Sequence, residues 1–252
     1  MIFDSHAHLD DKRFGDREEI IANLYDDGIK FVMNPGADRE SSERAYSLAK
    51  KHDNIYGAVG THPHDAKDFT DDDLKRYEEL SKDEKILAIG EIGLDFYYDN
   101  SPRDIQEKVF RDQLDLCVRT NLPVIIHTRD AIEETYSVVK DYEGKVRGII
   151  HCYSDNWKNA QRFLDLGYYI GLGGVVTFKN SHATREVAKN MPIDRLVLET
   201  DAPYLSPEPF RGRRNEPKHT RLVAEKIAEV RDEDVDYIIE KTFSNAMEIF
   251  GL

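Results

Sequence analysis

Short apolar runs alternate with amphipathic stretches from one end of the chain to the other, and this rhythm narrows the possible folds more than any other feature. The runs read as strands are Ile2–Ser5, Phe31–Asn34, Ile55–Gly60, Leu87–Glu91, Pro123–His127, Gly148–His151, Tyr168–Gly171 and Leu196–Thr200. Helical patterns fill the gaps at Asp16–Asp27, Glu40–Lys51, Asp71–Ser81, Asp104–Thr120, Asp130–Asp141, Trp157–Asp165, His182–Asn190 and Lys218–Val230, with a last helix at Glu233–Phe250. The segment from Asp104 carries Val109, Phe110, Leu114, Leu116 and Cys117 on one flank, the period of a helix with one buried side. Pro123 opens its strand, where a missing N–H costs little.

Eight β–α units repeating about every thirty residues give a parallel sheet, and about 250 residues is the usual size of a closed barrel. The expected fold is therefore α/β, a (β/α)8 TIM barrel, as a single domain over residues 1–252 with an extra C-terminal helix. The competing architecture is a doubly wound open sheet. That fold usually places a glycine-rich turn after its first strand, and here the position holds His6 and His8.

In a barrel, chemistry sits at the C-terminal ends of the strands. Strand one ends in Asp4-Ser5-His6-Ala7-His8, strand three in Gly60-Thr61-His62-Pro63-His64 and strand four in Gly90-Glu91-Ile92-Gly93-Leu94-Asp95. Strand five ends in His127-Thr128-Arg129-Asp130, strand six in His151-Cys152-Tyr153 and strand eight in Glu199-Thr200-Asp201-Ala202-Pro203. Six of the nine histidines thus fall on one rim, leaving only His52, His182 and His219 in helices and loops. Imidazole and carboxylate without thiolate suit Zn, Mn, Fe or Mg, and the set exceeds what one tetrahedral ion needs. A buried Glu91 without a cation is costly, which favours a paired or metal role.

Each residue also has a plainer reading. His127 and His151 end apolar runs and either could be a hydrogen-bonded core histidine; Asp201 before Ala202-Pro203 could be a turn residue. His62 is a substrate contact or a rim histidine held by the backbone, and His64 is expected to be solvent-facing or structural. Asp4 shares strand parity with His6 and His8, and Glu199 with Asp201, so both are candidates to orient a ligand histidine or a metal's water. Arg129 shares parity with His127 and could meet a phosphate or a carboxylate. The cluster Arg211-Gly212-Arg213-Arg214 either meets an anionic substrate or pins a loop to nearby acids.

Composition sets outer limits. A formal net charge of −14 argues against general affinity for long nucleic acid or anionic membranes, though not against local phosphate binding through metals. No apolar run is long enough to span a bilayer and no signal-like N-terminus is present, so a soluble, cytoplasmic protein is expected. Cys117 and Cys152 lack metal or redox spacing and read as buried thiols. No long exposed apolar segment stands out, and a monomer is expected.

The ordered motifs Asp-Ser-His-Ala-His, Gly-Thr-His-Pro-His, Gly-Glu-Ile-Gly-Leu-Asp-Phe, Ile-His-Thr-Arg-Asp-Ala, His-Cys-Tyr, Glu-Thr-Asp-Ala-Pro-Tyr-Leu and Arg-Arg-Asn-Glu-Pro run from residue 4 to 217. Together they resemble the TatD family of metal-dependent deoxyribonucleases, within the amidohydrolase superfamily. The resemblance implies a barrel holding two divalent metal ions (Mg, Mn or Zn). It matches His6 and His8 to the first ion, Glu91 to the bridge, His127 and His151 to the second ion, and Asp201 to the strand-eight aspartate. It implies hydrolysis of DNA phosphodiesters, as an exonuclease, by metal-activated water. Asp201 would then act as base, Glu91 as the catalytic bridge, His62 or Arg129 as phosphate contact, and Tyr153 as a face for a base. A single-stranded or end-bound substrate reconciles that activity with the acidic surface. Hydrolysis of a small phosphoester, lactone or cyclic amide is the alternative, and a non-catalytic barrel scaffold a further one.

If His6 and His8 serve one ion, replacing both with alanine is expected to lower bound metal by about half while His127 and His151 retain the remainder. Elemental analysis of the purified variant checks this; equal loss at both positions, or none, contradicts the division.

Overall fold

The computed structural model describes residues 1–252, and its eight strands lie in one parallel sheet in the order β1 to β8. They are β1 (Ile2–Asp4), β2 (Ile29–Pro35), β3 (Ile55–Val59), β4 (Ile86–Asp95), β5 (Val124–Arg129), β6 (Gly148–Ile150), β7 (Tyr169–Leu172) and β8 (Leu196–Leu198). The helices between them are α1 (Arg17–Asn23), α2 (Arg39–Lys51), α3 (Asp71–Leu80), α4 (Arg103–Thr120), α5 (Ile132–Lys140), α6 (Trp157–Asp165), α7 (His182–Asn190) and α8 (Thr220–Arg231), followed by α9 (Val235–Phe250). This is the expected (β/α)8 barrel with one added helix.

Local chemistry starts several of these elements. Asp38 accepts from the Ser41 N–H at 2.7 Å and the Ser41 hydroxyl meets the Asp38 N–H, a reciprocal cap that opens α2. Thr70 and Asp73 do the same for α3. Alternation along the strands splits the apolar residues into two sets. One packs outward beneath the helices. The other, including Phe3, Met33, Ala58, Ile125, Ile149, Tyr169 and Val197, fills the lower barrel. Ala246, Ile249 and Phe250 of α9 join that inner set, and Asn245 donates to the Ile193 and Leu196 carbonyls at 2.7 Å. The added helix therefore stoppers the N-terminal mouth, and the opposite mouth carries the polar rim.

Several boundaries differ from the sequence reading, among them these three. β4 runs on to Asp95, because after an irregularity between Ile89 and Ile92 it pairs again with β5 as far as Asp95 and Arg129. That continuation needs Gly93: its φ is +143°, and a Cβ there would lie 1.9 Å from the His127 carbonyl oxygen. α1 is shorter than the pattern, ending well before the turn at Gly28. β1 stops at Asp4, before the histidines.

That early stop shapes the seam where β8 meets β1. No continuous ladder joins them. Instead Ser5 N–H donates to the Leu198 carbonyl (3.0 Å), Asp201 N–H to the His6 carbonyl (2.8 Å) and His8 N–H to the Ala202 carbonyl (2.7 Å). Asp4, fully buried, accepts from the Thr200 N–H at 2.9 Å, the Thr200 hydroxyl at 2.6 Å and the His6 N–H at 3.3 Å. It does not touch a histidine ring, contrary to the parity argument. Alternation that takes Phe3 inward puts Asp4 on the other face, and the chain leaves strand geometry before His6.

Burial pushes the Asp4 carboxyl up to about 8, against the Thr200 and His6 hydrogen bonds that favour its charge. The native state then holds this proton more tightly than the unfolded chain, whose value is about 3.9. Stability from this group is full below about pH 4 and is lost as pH rises towards 8. Asp4→Asn keeps two acceptor contacts and removes the buried charge. In metal-stripped protein it is expected to flatten the decline in unfolding free energy between pH 5 and 8, as urea titrations across that range (roughly) would reveal.

Candidate metal centre

Glu91 lies at the middle of the polar rim, its side chain 6% exposed, with histidines divided between its two oxygens. Oε2 lies 3.3 Å from His6 Nε2 and 3.7 Å from His8 Nε2. Oε1 lies 2.8 Å from His127 Nδ1, 3.0 Å from His151 Nε2 and 3.5 Å from His62 Nε2. Asp201 closes the first side, with Oδ1 3.6 Å from His8 Nε2 and 3.9 Å from His6 Nε2. The His6 and His8 Nε2 atoms are themselves 3.2 Å apart, and the His6 and His151 rings stack with centroids 3.8 Å apart. His6, His8 and Asp201 present ligand atoms within 4.8 Å of one another, as do His62, Glu91 and His127, and His6, His151 and Glu199.

The electrostatics have one theme. Burial alone would raise Glu91, yet His151, His6 and His62 hold its carboxyl well below the usual range. Burial alone would lower His151, yet Glu91 and Glu199 raise it well above an ordinary histidine. Asp201 and Glu91 likewise lift His8 to about 8 against its burial. His6 is lowered, by burial first and then by the His151 charge. The carboxylates thus demand positive charge from imidazoles that burial would keep neutral. A divalent cation meets that demand while leaving the imidazoles neutral, the form that ligates. Nitrogen and carboxylate donors without sulfur suit Zn, Mn, Fe or Mg.

The supporting contacts are specific. Glu199 Oε1 accepts from the Cys152 N–H at 2.6 Å and lies 3.3 Å from His151 Nδ1, near enough for charge to act on the ring but without a formed hydrogen bond. Gly171 leaves room for Glu199: a Cβ would stand 2.4 Å from Glu199 Oε2. His62 Nδ1 accepts from the His64 N–H at 3.2 Å, which puts the proton of a neutral ring on Nε2. His62 thus faces the centre as a donor rather than a metal ligand, although its ring atoms fall within ligand distance.

Asp95 and His64 meet at the site; the sequence places both on the rim but assigns Asp95 no role and leaves His64 as solvent-facing or structural. Asp95 is 1% exposed; its Oδ2 lies 2.9 Å from His64 Nε2 and 3.2 Å from His127 Nε2. Hydrogen bonds from His127, the Tyr98 N–H and His64 outweigh its burial and keep the carboxyl well below the ordinary range. The available signal was its place at the end of an unbroken buried strand. His64 is held by this carboxylate and is not merely a surface group.

Tyr153 corrects an expectation. It is 2% exposed, and its hydroxyl donates to the Asn156 carbonyl at 2.8 Å. Cys152 adopts φ +48°, which turns the chain after His151 and sends the Tyr153 ring into the core, where no base can reach it. Arg129 does lie at the mouth, stacked 4.1 Å from the Tyr97 ring centre rather than in a salt bridge. In the loop after β8, Arg214 pairs with Asp16 and Glu216, the pinning role, while Arg211 and Arg213 lie over Phe178 and Phe210.

A family model described as TatD related DNase matches residues 3–251. The chain belongs to the TatD family. The metal-dependent hydrolase YabD of Bacillus subtilis is 43% identical over the whole of both chains. The 3'-5' ssDNA/RNA exonuclease TatD of Shigella flexneri is 31% identical, over 100% of this chain and 99% of that one. The crystal structure of the TatD homologue YJJV from Escherichia coli superposes with a TM-score of 0.94 at 30% identity, covering 100% of this chain and 98% of the other. This TatD protein is therefore a metal-dependent hydrolase on a TIM barrel. No helix in it is long and apolar enough to cross a membrane.

Asp95→Asn keeps the shape but removes the charge that fixes His127. Metal affinity is expected to fall about 10–100-fold with an unchanged circular dichroism spectrum, measurable by titration against a chelating dye.

Proposed function

We propose that the protein hydrolyses phosphodiester bonds in DNA at a centre of two divalent ions, acting as an exonuclease on single-stranded or end-bound substrate. One observation carries the reading: the two oxygens of Glu91 face two different ligand sets. His6, His8 and Asp201 with Oε2 would hold one ion; His127 and His151 with Oε1 would hold the other. When bound, such ions lower the pKa of a water and neutralise charge on a phosphate.

The chain's own groups do the rest. Asp201, 16% exposed and held below the usual carboxylate range by His8, His151 and His6 despite its burial, stays ionised at neutral pH and can take a proton from the attacking water. His62, kept neutral by burial and the nearby His127, offers its Nε2–H to a non-bridging phosphate oxygen. Glu199 acts on the His151 ring through its charge. Asp4 acts only through the His6 backbone and through the backbone and hydroxyl of Thr200. The net charge of −14 disfavours a wrapped duplex and suits a strand end entering the mouth. The activity named for the Shigella relative supports the nuclease reading.

The test compares a single-stranded oligodeoxynucleotide, an RNA of the same length and bis(p-nitrophenyl) phosphate, with metals removed and restored. Nucleotide release from DNA is expected to vanish with EDTA and return with Mg, Mn or Zn. Asp201→Asn is expected to lower kcat about 10²–10⁴-fold. Full activity in Asp201→Asn with verified metal content contradicts the site; turnover of the small diester without DNA cleavage contradicts the substrate.

A further inference from the structure

We propose that Tyr97, Tyr98 and Arg129 form a stacking site for an unpaired nucleobase beside the metal centre. The idea deepens the nuclease reading and rests on it.

Tyr97 and Tyr98 are 57% and 53% exposed, side by side at the C-terminal end of β4. Their rings stand perpendicular with centroids 4.9 Å apart. The Arg129 guanidinium lies 4.1 Å from the Tyr97 ring centre and 4.9 Å from that of Tyr98. Two adjacent tyrosines this exposed keep apolar faces in water, which an incoming flat group would cover.

The platform is tied to the site by one carboxylate. Asp95 Oδ1 accepts from the Tyr97 N–H at 3.0 Å and the Tyr98 N–H at 2.9 Å. Its other oxygen contacts His64 and His127. The Tyr98 ring also meets His64 edge-on, centroids 5.3 Å apart. The same carboxylate therefore ties the backbone that carries the two rings to a histidine of the candidate metal centre.

The charge is available too. Most arginines of this acidic chain pair with carboxylates, whereas Arg129 makes no ion pair and can add cation–π and phosphate contacts. Tyr204, across the mouth near His8, differs in charge: an arginine lies over its ring as well, Arg13 at 4.0 Å, but Arg13 is neutralised by both oxygens of Asp11. Stacking on a tyrosine face accepts any base, and bases paired within a duplex are already stacked. The platform would thus favour single strands without sequence preference.

The experiment uses the metal-loaded enzyme and a fluorescein-labelled, phosphorothioate-linked oligodeoxythymidine, which resists hydrolysis, beside an abasic strand of equal length. Anisotropy gives Kd for wild type, Tyr97→Ala/Tyr98→Ala and Tyr97→Phe/Tyr98→Phe, with metal content measured for each. Wild type is expected to prefer the base-bearing strand about tenfold to a hundredfold. The alanine pair should lose that preference while binding the abasic strand like wild type, and the phenylalanine pair should retain it. Equal weakening on both strands would assign the tyrosines to loop structure and overturn the proposal, as would no preference in wild type. Base-dependent binding without nucleotide release from an unmodified strand would sink the nuclease reading and leave the stacking site standing.

Discussion

A buried carboxylate ringed by imidazoles governs the catalytic end of this barrel. Glu91 is 4% exposed, and an isolated charge at such a position is strongly disfavoured. Everything around it answers that cost. His6 and His8 approach one oxygen, His127 and His151 the other, and burial discourages each ring from carrying the proton that the carboxylate invites. The arrangement is strained as a set of ion pairs and natural as a ligand cage. That is the physical content of the statement that this TatD protein is a metal-dependent hydrolase.

The cage depends on how the barrel closes. β1 ends at Asp4 and β8 at Leu198, so the last stretch of the seam is built from individual hydrogen bonds rather than a ladder. Releasing the two segments from strand geometry lets His6, His8 and Asp201 turn inward together. Asp4 and Thr200 lock the same seam from beneath, at the expense of a buried acid whose proton is held unusually firmly. The other end of the barrel is sealed by Phe250 and its neighbours, which leaves one open mouth.

Around that mouth the acidic chain deploys its positive charge selectively. Arg214 is spent on Asp16 and Glu216, fixing the loop after β8. Arg129 and Arg211 lie instead over aromatic rings. Asp95 connects the two layers of this design, touching His127 on the inside and supporting Tyr97 and Tyr98 on the outside.

Much of this was legible in order of residues alone. Strand and helix periods are local properties, so the eight β–α units and the capping helix could be read with errors confined to their ends. Barrel topology then placed His6, His62, Glu91, His127, His151 and Asp201 on one rim, since position at a strand's end is also local. Direction beyond the strand end is not. Tyr153 was misread because a left-handed turn at Cys152 reverses the expected side, and Asp4 because β1 stops short of the histidines. Asp95 and His64 meet only because β4 resumes pairing with β5 beyond an irregular step that Gly93 makes room for. The sequence by itself determined which groups could reach the mouth. Only the tertiary structure decided which of them face one another, because backbone turns outside regular strands are set by the neighbours they pack against and not by any repeating pattern.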